Sequence, residues 1–295
     1  MITYMNQCGK VTFHEADIQK AFLYDSASFS AVKQGRFNTQ TTALIDGTST
    51  YDAALSGTQI RWDGRILLYN LEPVLFSEKR LSRVKGWLGD IFNPKISGEL
   101  HYINANGQYI MRNVRATAPP TFGEYVNGTI AVKFELQSDE WYWEALESRK
   151  AVLGVYSGGF TLPFSFPIKF GKYWQYKISI YNDSNYNIYP QVILNAQNTL
   201  STLRNLTTNS YIKMTKPIDQ GCRMVIQTSP KIYSAGIYKW ENEQWLFSQD
   251  ASAYLSIDSG DFALIPGTNN ISLENGAPGK TPSAEIEYRK IYMEV

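Results

Sequence analysis

The residues of this chain best suited to recognising another molecule are Trp240 and Trp245, in the run Tyr238-Lys239-Trp240-Glu241-Asn242-Glu243-Gln244-Trp245-Leu246-Phe247. The spacing predicts a hairpin with the two indoles opposite each other, and aromatic faces beside amides and carboxylates suit stacking on sugar rings. The first expectation is that both pack into the sandwich, since large aromatic side chains on strands stabilise sheets and protein interfaces. Carbohydrate binding by Trp240 and Trp245 is the alternative.

Other patterns fall short of a reaction. His14-Glu15-Ala16-Asp17-Ile18 begins like a zinc-binding helix, but two imidazoles four residues apart must share the ion, and Ile18 stands where the second is needed. His101 falls in an expected strand. With 2 His in the chain and no Gly-x-Ser-x-Gly turn, a Ser-His-Asp arrangement lacks its base and its elbow. Asn275-Gly276-Ala277-Pro278-Gly279-Lys280-Thr281 imitates the end of a phosphate-cradling loop, yet Glu274 takes the place of the first glycine and Pro282 follows directly, so a surface loop is expected. Asp139, Glu140, Glu144 and Glu147 lie near aromatic residues, and two carboxylates about 5 to 9.5 Å apart can hydrolyse a glycosidic bond. A solvated face between domains is the expected role. The reading is of a chain without catalytic residues, metal site or cofactor.

The elements that carry these residues follow from composition and period. At 295 residues the chain has room for two cores, since single domains usually hold about 100 to 200 residues. The expected domains are residues 1–148 and 149–295. A hydrophobic share of 43% excludes a disordered chain, and an aromatic share of 14% with 20 Tyr favours pleated, half-buried surfaces. A formal net charge of +1 supplies no field for a phosphate backbone, so sequence-specific nucleic-acid binding is not expected. No apolar run approaches the roughly 20 residues of a membrane span, and the first residues lack the order of a secretory signal, so a soluble protein made in the cytoplasm is expected. Cys8 and Cys222 read as buried free thiols.

Along the chain, Ser26 to Gly57 predicts strands joined by a long loop, and Asp63-Gly64, flanked by Ile60, Trp62, Ile66, Leu67 and Tyr69, predicts a hairpin turn. A helix is expected from about 78 to 90. Ser77 would cap it, Gly89 would end it, and Leu81, Val84, Leu88 and Phe92 would share its buried face, with Trp87 and Ile91 at the edge. Gly98 to Ile103 and Gln108 to Val114 form a second expected hairpin about Asn104-Ala105-Asn106-Gly107. Ile130, Val132, Phe134 and Leu136 alternate with polar partners, which predicts a strand with one buried face leading into Trp141 and Trp143. The second half reads as seven short strands without a helix, the pattern of a β-sandwich. These are Gln175 to Tyr181, Tyr189 to Leu194, Ser210 to Met214, Arg223 to Thr228, Gly236 to Trp240, Trp245 to Phe247 and Ala284 to Tyr292.

Between the halves, Ser138-Asp139-Glu140-Trp141-Tyr142-Trp143 is followed by Gly158-Gly159-Phe160-Thr161-Leu162-Pro163-Phe164-Ser165-Phe166-Pro167. This seam resembles the junction of the distal tail protein family of long-tailed bacteriophages. The same order of elements continues in Trp87-Leu88, Gly98-Glu99-Leu100, Gly107-Gln108-Tyr109, Gly221-Cys222-Arg223-Met224-Val225-Ile226-Gln227-Thr228, Leu264-Ile265-Pro266-Gly267-Thr268-Asn269-Asn270-Ile271 and Ala284-Glu285-Ile286-Glu287-Tyr288-Arg289. Residues before about Ile60 depart from the family's short opening. The resemblance implies a mainly β, two-domain protein: an N-terminal sandwich-like belt domain with one packed helix, then a galectin-like β-sandwich. It also implies a non-enzymatic virion protein of the tail tip. The belt would build a hexameric ring that meets the tail tube on one face and tail-associated, receptor-binding proteins on the other, without inserting into a membrane.

Overall fold

A computed structural model describes residues 1–15, 17, 19–40, 49–70, 78–157, 173–195, 199–275 and 282–295. The fold is mainly β. Contacts divide it into two units, Met1–Leu146 with Tyr292–Val295, and Glu147–Ile291.

In unit one, strands β1 (Ile2–Asn6), β2 (Gly9–Glu15), β3 (Phe22–Tyr24), β4 (Ser30–Gln40) and β5 (Ser49–Leu67) precede helix α1 (Glu78–Ile91). After it come β6 (Gly98–Asn104), β7 (Gly107–Ala116), β8 (Thr121–Val126), β9 (Thr129–Ser138) and β10 (Trp143–Ala145). They form one sheet in the order β10-β7-β6-β1-β2-β3-β5-β9-β8, with β4 on β5. β7 also pairs with β9, through Val114 with Ser138 and Ala116 with Leu136, so the path from β7 round to β9 closes on itself. The closure joins β7 to β9, while β8, β4 and the β10 end stay at edges.

Its interior is aromatic. The Trp62 and Phe134 rings stack at 4.8 Å, Phe13 meets Phe134 edge-on at 4.9 Å, and Tyr4 stacks on Phe92 at 4.9 Å. β9 follows the expected alternation, with Ile130, Val132, Phe134 and Leu136 buried. Helix α1 contributes Leu88 and Ile91, followed directly by Phe92, all fully buried, while Leu81 and Val84 pack partly and Trp87 is 39% exposed. The buried face is therefore rotated toward Ile91, which sequence placed at its edge. Gly89 does not end the helix. Like Gly86, it faces open space, and the helix runs on to Ile91. Ser77 lies outside the described residues.

One further expectation for this half is corrected. Asp63-Gly64 is not a turn. β5 runs straight through it, pairing Asp63 with Lys133 and Gly64 with Val132 on β9, while Gly64 also pairs with Tyr24. Glycine is needed there for close approach, because a Cβ would lie 3.0 Å from the Leu23 carbonyl and 3.3 Å from Val132 Cγ1. The strands expected between Ser26 and Gly57 are present as β4 and the first part of β5, paired from Ser30 with Arg61 out to Gln40 with Ser49, and residues 41–48, where a joining loop was expected, lie outside the described residues. The β6–β7 hairpin stands as expected, Asn104 Oδ1 accepting from the N–H groups of Asn106 and Gly107 at 2.8 and 3.1 Å.

Unit two holds β11 (Arg149–Leu153), β12 (Val155–Ser157), β13 (Tyr173–Gln175), β14 (Lys177–Asn182), β15 (Gln191–Asn195) and β16 (Ser201–Asn205). It continues with β17 (Tyr211–Lys213), β18 (Cys222–Gln227), β19 (Ser234–Glu241), β20 (Gln244–Asp250), β21 (Gly267–Asn275) and β22 (Ser283–Tyr288). They make a six-stranded sheet, β11-β22-β15-β18-β19-β20, a four-stranded sheet, β14-β21-β16-β17, and the pair β12-β13. Each larger sheet buries one apolar face, with Val192, Leu194, Met224, Ile226 and Ile286 on the first and Ile180, Leu203, Ile212, Ile271 and Leu273 on the second. A buried amide network holds the chain entering β21. Asn269 accepts from the Ile265 N–H at 3.0 Å and donates to the Ile265 carbonyl at 2.7 Å, while Asn205 Nδ2 donates to Asn269 Oδ1 at 3.1 Å. Cys222 is buried, but Cys8 is exposed, contrary to expectation, because it sits in the β1–β2 turn. Among the described residues no helix is long and apolar enough to cross a membrane.

Candidate functional site

The hairpin predicted about Asn242 and Glu243 forms, with Trp240 opposite Trp245 and Glu241 opposite Gln244. Asn242 and Glu243 have φ of 51° and 62°, the positive pair that a two-residue turn of matching twist demands. The indoles meet edge-on, their centroids 5.2 Å apart. Their burial departs from expectation. Trp240 is 53% exposed, Phe247 is 63% exposed, and within β20 only Trp245 is even half-buried. β20 is the last strand of its sheet, so among the described residues no strand pairs with its outer side, and the indoles do not enter the core.

Sequence reasoning missed the residue that completes this surface. Arg223 pairs with Tyr238 across β18 and β19, and its guanidinium lies over the Trp245 ring at 4.2 Å, a cation–π contact. Burial lowers the Arg223 pKa from its ordinary value, opposed by the carboxylate of Glu285 and by Tyr238. Its Nε is enclosed and has no hydrogen-bond partner among the described residues. Gly236 leaves room beside them: a Cβ there would come 3.0 Å from the Phe247 ring and 3.2 Å from the Tyr238 ring. The face thus offers a half-exposed indole, a guanidinium fixed by stacking and a nearby carboxylate. The signal in sequence was the alternation Cys222, Arg223, Met224, Val225, Ile226, which puts Arg223 on the outer side of β18.

The other candidate residues are dispersed. His14 lies in β2, an extended strand, and burial lowers its pKa, helped by Lys20. Ile18 and residues 276–281 lie outside the described residues, as does the 158–167 segment of the seam. His101 is on β6 with its Nε2 3.5 Å from Glu99. Asp139 pairs with Arg115 at 3.3 Å and Glu144 with Arg112 at 3.2 Å. Glu140 is buried, and its backbone carbonyl takes the Thr58 hydroxyl at 2.8 Å. The Tyr142 hydroxyl beside it is pushed well above its ordinary range by burial and by Glu140 and Glu144. Among the described residues no three His, Cys, Asp or Glu side chains are grouped to hold a metal ion.

A second surface is a matter of backbone. β5 pairs with β9 from Thr58 to Leu67, but from Ser49 to Leu55 its partner among the described residues is β4. The two strands there form a ribbon. It leaves the sheet at Gly57, where a Cβ would collide with the Ser138 carbonyl, and it is anchored at Thr58, which is fully buried.

No protein-family model and no curated protein matches the chain. Solved structures share its fold. The Dit protein of phage SPP1, described as a paradigm of the hub adsorption apparatus of phages infecting Gram-positive bacteria, aligns with a TM-score of 0.58 at 13% identity, over 92% of this chain and 98% of that one. The baseplate of phage P2 in its activated conformation with Ca aligns with a TM-score of 0.51 at 14% identity, over 100% of this chain and 98% of that chain. The Sr form of the same baseplate gives 0.51 at 14%, over 100% of both. At such identities the likeness is one of fold.

Proposed function

We propose, from a fold shared end to end with phage hub and baseplate proteins, that this chain is a distal tail protein: a non-enzymatic structural component of the virion tail tip. Unit one serves as the belt of a hexameric ring and unit two is the galectin-like domain. The ring joins the tail tube to the baseplate and its receptor-binding proteins, after synthesis in the host cytoplasm. The observation that carries the reading is the likeness to the SPP1 protein, which takes in 92% of this chain and so includes both units.

The β4–β5 ribbon supports self-association. An isolated two-stranded ribbon is marginally stable in water, and its outer edges carry unpaired N–H and C=O groups. Both costs disappear if a neighbouring copy receives the ribbon. A ring requires such a contact between two different surfaces, repeated until the rotation closes. Light scattering coupled to size exclusion over a concentration series tests this. A sixfold mass with ring-shaped particles in negative stain is expected, and a monomer at every concentration, with tail partners supplied, would overturn it.

A second reading is favoured by one observation, the exposure of Trp240 beside Trp245 and Arg223. In it, unit two binds carbohydrate at the host surface, with the indole stacking on a sugar ring. A glycan screen with Trp240→Ala and Trp245→Ala as controls tests it. Binding that both substitutions abolish supports the lectin reading, and silence across the screen removes it.

A further inference from the structure

The outer face of the four-stranded sheet carries a second set of polar groups, on different strands from the indoles. Ile178 on β14 lies opposite Ile271 on β21, and here a depression of about 410 Å³ opens, bounded by Lys177, Ser179, Leu206 and Asn270. That volume falls in the range of sites that take small organic ligands, about 300 to 1,000 Å³.

The polar groups are arranged, not scattered. Ser179 pairs with Asn270 across the two strands, and its hydroxyl donates to Asn270 Oδ1 at 2.7 Å. The Asn270 N–H is held by Thr207 Oγ1 at 2.9 Å, and the Asn270 carbonyl takes the Leu206 N–H at 2.7 Å. The amide is thereby oriented, its Nδ2 donor is left over, and the Ser179 oxygen remains able to accept. Lys177 is exposed, and its ammonium has no partner among the described residues. Its neighbour in register is Ser272, 4% exposed, with a buried hydroxyl that makes no hydrogen bond among the described residues. The next cation along this row, Arg204, is already engaged by Glu274 at 3.5 Å and Asn209 at 3.1 Å. The uncommitted charge is positive and belongs to Lys177.

A free ammonium, an oriented amide donor, a hydroxyl acceptor and the 47%-exposed Leu206 as an apolar wall match a ligand with a carboxylate, several hydroxyls and a C–H face. We propose that this depression binds a carboxylate-bearing sugar of the uronate class, with Lys177 on the carboxylate and Ser179 and Asn270 on the hydroxyls. The proposal is independent of the ring and of the Trp240 surface.

Calorimetric titration of the full chain with D-glucuronate, methyl glucuronide and glucose tests it. Saturable binding of glucuronate is expected, weaker by about tenfold or more for glucose and for Lys177→Met, the loss of one charge-assisted hydrogen bond. Asn270→Ala should weaken it as well. Methyl glucuronide, capped as in a polymer, binding as well as the free acid would identify a polysaccharide as the source, and binding of the free acid alone would identify a free sugar acid. No saturable heat with glucuronate, equal binding in Lys177→Met, or equal binding of glucose would each overturn it. Scattering on the same samples reports the ring separately.

Discussion

The six-stranded sheet of unit two has two edges of opposite character. β11 turns Ala151 and Leu153 into the core, at 8% and 0% exposure, while no side chain of β20 is fully buried. The β11 edge is also fastened by charge: Arg149 reaches both oxygens of Asp183 at 3.1 and 3.3 Å, and Lys150 reaches Glu285 at 2.6 Å. The β20 edge carries exposed Leu246 and Phe247 instead, with exposed Trp240 beside it on β19. One edge is covered and charge-paired, and the other leaves apolar side chains exposed.

The sharpest test of that contrast is truncation on each edge. Leu153→Ala should cost about 2–5 kcal/mol of stability through lost burial and a cavity, whereas Phe247→Ala and Trp240→Ala should change it by about 0.5 kcal/mol or less. Urea unfolding of the three variants measures both, and a large cost at Phe247 would break the comparison. Next in size is Gly154→Ala, just after β11. Gly154 has φ of 73°, and a Cβ there would strike the Pro282 carbonyl, so a loss of about 1–3 kcal/mol is expected in the same assay.

The smallest effect is electrostatic. Burial raises the Asp183 pKa, but hydrogen bonds and charge from Arg149 and Lys290 outweigh it and hold the carboxyl below its ordinary 3.8. A depressed carboxyl contributes stability that is present above the unfolded-state value and lost as pH falls through the folded-state value. Asp183→Asn should therefore be less stable at neutral pH by about 1 kcal/mol or less, because the pair is partly exposed. The deficit should close as the pH falls below 3.8. Unfolding midpoints at neutral and acid pH check it, and a deficit independent of pH would show that the edge is not fastened by this charge.

What could be read in advance follows a simple division. β9, the Asn104–Gly107 hairpin and the pairing of Trp240 with Trp245 were legible, because period-2 alternation and turn residues act over a few neighbours. Asp63-Gly64 misled for the same reason. Locally it is a turn dipeptide, and only the approach of Leu23 and Val132 makes Gly64 a strand residue. The exposure of Trp240 and the stacking of Arg223 on Trp245 depend on β20 being an edge, which no local pattern states. The Asn182, Asn205 and Asn269 positions are buried and bonded, though asparagine in a turn-rich stretch reads as surface.

The sequence by itself determined the β class, the one long helix among the described residues and part of the strands of the second half, since each rests on the spacing of side chains along one segment, while β11, β12, β16 and β21 were not read. Only the tertiary structure decided that β7 meets β9 to close the first sheet, that Tyr292–Val295 return to the first unit, and which tryptophans are covered. Those outcomes depend on contacts between segments far apart in the chain, and a side chain's burial is fixed by what lies over it.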